Sequence, residues 1–239
     1  MHSLGQTRSA RRADHLLHTP DTFVRASWPG MTNGAAIVHV SPALGAAFTQ
    51  YTAELAAGGY LPPTRVQRFV YVLAGDAQVA DASLAAGGFA YVPAGDAGAV
   101  RTRNGTRVAV IEKPYVALPG TAAPPMFTGE EAHQEPHALD GDADLEVRQL
   151  VPADPAFDFA VNTMTYRPGA ALPMVEIHVM EHGLLFLEGG GIYRLGDAWY
   201  PVSEGDFIYM APWCPQWFGA LGKVPAKYLI YKDWNRAAS

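Results

Sequence analysis

Three residues in the run PMVEIHVMEHGLLFLEGGG, Pro173 to Gly191, carry the side-chain chemistry of a metal centre: Glu176, His178 and His182. They stand at even spacings in an apolar, β-prone stretch. Side chains of a strand alternate faces with period two. The pattern therefore predicts that all three project from one strand face, with Ile177, Val179 and Glu181 on the other. A carboxylate and two imidazoles converging from one face bind a cation more readily than they pack as core. His178 and His182 could instead share a helix face at i, i+4. Glu176 fits that face poorly, and Pro173 with flanking Val, Ile, Phe and Leu favours strand. Either histidine alone could be a hydrogen-bonded pocket residue; the set of three points to metal.

A fourth ligand is available in Gln216, within APWCPQWFGA. Two imidazole nitrogens and two oxygens suit Mn, Fe(II), Ni or Co better than a structural zinc, which favours thiolate. The imidazoles disfavour calcium and magnesium. Octahedral geometry would leave about two positions open to water or substrate. On its own, Gln216 would be an ordinary polar loop residue.

Other residues are candidates with plainer alternatives. Lys232, in LIYKDWN, ends an apolar run and could face a barrel mouth, bind a carboxylate or move a proton; it could equally be a strand-end surface lysine. Tyr228, four residues earlier, shares its face. Tyr193, after GGG, could hydrogen-bond a ligand or fill the interior. Cys214 has the parity of Gln216 and is expected to play a passive apolar role. Glu181 is expected to point away from the metal and Glu188 to lie solvated in a turn. His133 and His137 fall in a linker and carry no expected role. The Arg8–Arg12 cluster reads as a solvated tail.

The elements that must position these groups are short apolar runs broken by Gly, Pro, Asn and Asp, the rhythm of an all-β sandwich or barrel. Two series repeat. Tyr71–Gly75 (YVLAG) matches Leu185–Gly189 (LFLEG) at an offset of 114, and Gly87–Gly95 matches Gly205–Trp213 at 118. Val108–Tyr115 matches Lys227–Trp234 at 119, and about four extra residues are expected near Tyr193–Tyr200. The expected organisation is a leader over 1–30, a barrel over 31–116, a linker and crossover over 117–143 and a second barrel over 144–239. Subtracting 114 from the candidate ligands gives Pro62, Thr64 and Arg68. None is a plausible neutral-pH ligand, so the first barrel is expected to be metal-free.

A net charge of −6 offers no basic surface for nucleic acid. No run reaches the roughly 18 apolar residues of a membrane span. The N-terminal residues lack the apolar core of a secretory signal. The single cysteine permits no internal disulfide. A cytoplasmic protein is the expectation.

The β repeat, the metal group, the G-D-x5-P turn of Gly205–Pro212 and the later ligand resemble the cupin superfamily, which implies two tandem jelly-roll β-barrels, a bicupin. The common cupin pattern has two His separated by one residue, then Glu, then a later His. Here Glu176 stands where the first His is expected and His182 where Glu is expected. EIHVMEHG with CPQ and a terminal YKDWNR resembles the (S)-ureidoglycine aminohydrolase family, across essentially the whole chain. That resemblance implies Mn(II) on Glu176, His178, His182 and Gln216, with Tyr193, Tyr228, Lys232 and Gln216 contacting substrate. It implies hydrolysis of (S)-ureidoglycine to (S)-ureidoglycolate and ammonia in allantoin catabolism, with Lys232 and Glu176 catalytic. Glu176 could be ligand, base or both. The plant members are directed to the endoplasmic reticulum; the missing signal implies a bacterial, cytoplasmic form. A homo-oligomer is expected because bicupin faces often assemble. Two rivals stay open: a non-haem Fe(II) dioxygenase, and a non-enzymatic bicupin that binds a small acid.

Overall fold

The structure is a computed structural model that describes residues 6–236; the ends of the expected leader and second barrel, residues 1–5 and 237–239, lie outside the described residues. The protein is all-β: its strands are joined by turns and three 3-10 turns, and no α-helix occurs among the described residues. It is built as two tandem jelly-roll barrels of the cupin type. No helix among the described residues is long and apolar enough to cross a membrane.

One unit comprises Val24–Gln134 with Ala153–Asp158. Its strands Thr49–Leu61, Gln67–Val79, Gly88–Val92 and Thr106–Lys113 belong to a nine-stranded sheet around a core that includes Tyr51, Val70, Val72, Ala90 and Val110. The other unit comprises, among the described residues, 6–23, Glu135–Pro152 and 159–236. It has an eight-stranded sheet, including Phe159–Tyr166, His182–Glu188, Phe207–Met210 and Ala226–Asp233, and a three-stranded sheet of Gly190–Leu195, Ala198–Ser203 and Gln216–Ala220. Its core carries Leu184, Phe186, Phe218, Tyr228 and Ile230.

Three expectations change. The leader is not a separate segment: His15–His18 pairs with Phe207–Met210 of the second barrel, while Arg25–Ala26 pairs with Thr32–Val40 of the first. Nor is Arg8 a solvated tail residue. Its guanidinium forms a two-pronged ion pair with Asp206, which is fully buried; one contact is 2.9 Å. The Asp206 carboxylate of the GD turn also accepts the Ser203 N–H at 2.8 Å. A buried carboxylate needs such partners, and the cation that supplies them stands 198 residues away in sequence. The 117–143 linker is also partly ordered, with strands Phe127–Glu130 and Pro136–Leu139.

The duplication is visible in the pairing, with one amendment. Arg68 stands opposite Val92 and Glu112, just as His182 stands opposite Met210 and Lys232. The last strands therefore correspond at an offset of 120 rather than 119 (232 − 112), one residue from the sequence match. A one-residue slip exchanges the two faces, so the correct register matters: it makes Glu112 the counterpart of Lys232. Both halves carry a register shift beside the repeat glycines Gly75 and Gly189. Each adopts positive φ, and a Cβ there would strike the backbone of Gly105 or Pro225.

In the first barrel, the place of the histidine is filled by a guanidinium. Arg68, 1% exposed, donates to Glu112 from Nη2 at 2.6 Å and Nε at 2.8 Å, and to the Pro62 carbonyl at 2.7 Å. Pro62 is the counterpart of Glu176 by the 114 offset. Tyr51 completes the group by donating to Glu112 at 2.9 Å. Removing one partner of a buried pair leaves an uncompensated charge. Arg68→Ala is expected to destabilise the protein by about 3–5 kcal/mol, read as a lowered midpoint in chemical denaturation. Arg8→Ala, whose side chain is more exposed, is expected to cost about 1–3 kcal/mol in the same measurement.

Candidate metal centre

Glu176, His178, His182 and Gln216 do meet, but not from one strand face. Glu176 lies in an isolated bridge to Gln216, with reciprocal backbone hydrogen bonds of 2.8 and 2.9 Å. His178 lies in irregular chain, and the regular strand begins only at His182. The period-two reading fails because the two ends of this segment pair with different sheets. Ala171 and Glu176 bridge to Gly219 and Gln216 of the three-stranded sheet, whereas His182 pairs with Met210 and Lys232 of the eight-stranded one. The chain crosses between sheets, and no single pleat spans it. A further hold comes from the Trp213 N–H, which donates to the His178 carbonyl at 2.9 Å.

The side chains converge on the His178 Nε2. It lies 3.3 Å from the His182 Nε2, 2.9 Å from the Gln216 side-chain nitrogen and 3.9 Å from a Glu176 carboxylate oxygen. The two imidazoles meet edge to face with centroids 4.7 Å apart. His182 is fully buried, and its pKa is held well below the ordinary value by burial, with Lys232 and His178 adding repulsion. A neutral imidazole is the form that ligates a metal. Glu176 and His178 are about one-third and one-quarter exposed, which leaves an open side to the cluster.

The donor chemistry fits a divalent transition metal: two imidazole nitrogens face one another with a carboxylate and an amide alongside. The Gln216 amide presents its nitrogen to His178, while its oxygen accepts the Tyr193 hydroxyl at 3.1 Å. Rotating the amide by half a turn exchanges the two atoms. That rotation would offer the oxygen to a metal and let the nitrogen donate to Tyr193.

Tyr193 is 1% exposed and touches Gln216, so it stands behind the cluster. Tyr228 is also buried; its hydroxyl lies 2.8 Å from that of Tyr166 and 3.4 Å from the Met164 sulfur. Burial pushes the Tyr193 and Tyr228 phenols well above their ordinary pKa, and the Glu176 charge adds to it. Lys232 follows Tyr228 and Ile230 on the inward face of Ala226–Asp233. Burial lowers its pKa and the Glu176 charge partly restores it. Cys214 packs in the apolar core, and burial together with the Asp14 charge pushes its thiol up to about 12. Glu181 is buried too, and accepts the Tyr209 hydroxyl at 3.3 Å. Its counterpart in the first barrel is Gln67, which accepts Tyr91 at 3.0 Å, so this contact belongs to the shared barrel rather than to the centre. Glu188, His133 and His137 are exposed.

A half-buried ammonium with incomplete compensation contributes little to stability. Lys232→Met is therefore expected to leave the thermal midpoint unchanged or to raise it, by calorimetry.

The Cupin domain family model matches residues 162–231, which spans this cluster. The probable (S)-ureidoglycine aminohydrolase of Oryza sativa is 40% identical over 97% of this chain and 77% of its own length. The (S)-ureidoglycine aminohydrolase of Arabidopsis thaliana is 38% identical over 97% of this chain and 80% of its own. Among solved structures, protein Ylba from E. coli superposes with a TM-score of 0.85 at 27% identity, covering 98% of this chain and 97% of that one. By sequence and fold, this chain belongs to the (S)-ureidoglycine aminohydrolase family of cupin enzymes.

Proposed function

We propose that this chain hydrolyses (S)-ureidoglycine to (S)-ureidoglycolate and ammonia with Mn(II) held by Glu176, His178, His182 and Gln216. The observation that carries the reading is the meeting of these four side chains beside an inward-facing lysine, in a chain whose curated relatives bear that activity in their names. In the reaction, the bond from the substrate carbon to its amine breaks. A bond to water oxygen forms, and the amine leaves as ammonia.

When bound, the metal supplies a Lewis acid and a template that fixes the face of attack. The chain's own residues do the rest. The Lys232 ammonium meets the substrate carboxylate, or gives a proton to the leaving nitrogen; its lowered pKa brings it nearer the range in which a lysine exchanges protons. Glu176, the most exposed member, can take the proton from attacking water as well as ligate. Tyr193 orients the Gln216 amide, and the Tyr166–Tyr228 pair walls the interior. The hydrolase names of the relatives favour this reading over an oxygen-dependent one.

Ammonia release from freshly made (S)-ureidoglycine, corrected for its unaided decay, tests the proposal. Metal-stripped enzyme is expected to be inactive and to recover with Mn(II). Glu176→Ala and His178→Ala are expected to lose metal and turnover together. Lys232→Met is expected to keep metal and lower kcat by about 10²–10⁴. Unaltered turnover in Lys232→Met would remove that residue from the mechanism. Tyr193→Phe is expected to weaken metal binding or activity by about 10–100-fold, the usual cost of losing a group behind a ligand.

A further inference from the structure

A second set of donor groups meets on the same barrel, away from the Glu176 cluster. His15 opens the strand His15–His18 and stands opposite Met210; the Ala211 N–H donates to the Asp14 carbonyl at 2.9 Å. These backbone contacts fix the N-terminal strand beside the turn that carries Cys214. One donor atom each from Asp14, His15 and Cys214 lies within 4.8 Å of the other two. His15 and Cys214 are 3% and 4% exposed, while the Asp14 carboxylate keeps one side open to solvent.

The hydrogen bonds within the group are those a cation would replace. The Asp14 carboxylate lies 2.8 Å from His15 Nδ1, and the Cys214 thiol donates to the Pro215 carbonyl at 3.6 Å. His15 Nε2 lies 2.9 Å from the Tyr200 hydroxyl. Gly196 roofs the group: a Cβ there would sit 2.9 Å from an Asp14 carboxylate oxygen.

We propose that Asp14, His15 and Cys214 form a second divalent-metal site, of the zinc class. Thiolate, imidazole and carboxylate make a borderline-soft set that suits Zn(II) or Co(II), with water entering on the open side of Asp14 to complete four ligands. On binding, the thiol proton leaves to solvent. The imidazole proton moves to Nε2 and is donated to the Tyr200 oxygen, so Nδ1 faces the metal. Tyr200 then orients the ring from behind, as partners of ligating histidines do. The Glu176 cluster contains no sulfur, so the two sites differ in metal preference. Once loaded, this one clamps the N-terminal strand to the turn that leads into Gln216.

The test is titration of the metal-stripped full chain with Co(II). A thiolate-to-cobalt charge-transfer band reports this site alone, because the chain has one cysteine. The band is expected to reach one equivalent per chain and to persist in a Glu176→Ala/His178→Ala variant. Cys214→Ser is expected to abolish it in a chain whose circular dichroism is unchanged. Tyr200→Phe is expected to weaken binding by about 10–100-fold, and His15→Gln by at least as much. No band at saturating Co(II) would overturn the proposal. So would its loss in the Glu176→Ala/His178→Ala variant, or unchanged affinity in both His15→Gln and Tyr200→Phe. None of these outcomes depends on which substrate the enzyme turns over.

Discussion

The reciprocal backbone bridge between Glu176 and Gln216 is the constraint on which the site depends. Two hydrogen bonds tie the start of the ligand segment to the edge of the three-stranded sheet. Six residues later His182 is tied just as firmly to the eight-stranded sheet by its pairing with Met210 and Lys232. The chain between has to cross the gap, and the crossing brings Glu176 and His182 each beside His178. A continuous strand would have spread three alternate side chains over about 20 Å, at 3.3 Å per residue. The break in regular structure is thus what lets these side chains cluster.

The duplicated barrel shows what the same frame does without those ligands. Arg68 replaces His182, Pro62 replaces Glu176, and Glu112 replaces Lys232, so a cation stands where the second barrel has a neutral imidazole and a carboxylate where it has an ammonium. In one barrel burial keeps the His182 imidazole unprotonated, and Lys232 and His178 add to the effect. The arginine and glutamate of the other satisfy one another within 2.6 Å. One frame holds two opposite electrostatic solutions: a centre with an excess of ligating atoms, and a closed ion pair with none to spare. The shared Tyr–Glu and Tyr–Gln contacts, Tyr209 with Glu181 and Tyr91 with Gln67, show that the difference is confined to the face that matters.

Much of this was legible beforehand, because it rests on local pattern. The β rhythm, the repeat and the identities of Glu176, His178, His182 and Gln216 are properties of short segments, and the glycines at 75 and 189 marked matching bends. What escaped the sequence depends on pairing between distant strands. The geometry of the ligand segment followed from which sheet each end joins, not from its own alternation. Arg8 looked solvated because Asp206 is its partner only after the chain has closed a 198-residue loop. The pairing of His15–His18 with the second barrel, and with it the meeting of Asp14, His15 and Cys214, has the same origin. The one-residue slip in the last repeat arose because bulges change register without changing composition.

Arg68 also separates the two halves in their dependence on the surroundings. Its guanidinium is covalently part of the chain and stays charged at any physiological pH, so the first barrel carries its cation from the moment of synthesis. No chelator, competing ion or shortage can remove it. On the proposed reading, a centre assembled from Glu176, His178, His182 and Gln216 would instead be subject to mass action, gaining stability as the free metal concentration rises above the dissociation constant. On that reading, the ion pair of the first barrel is indifferent to metal supply, while the cluster of the second responds to it.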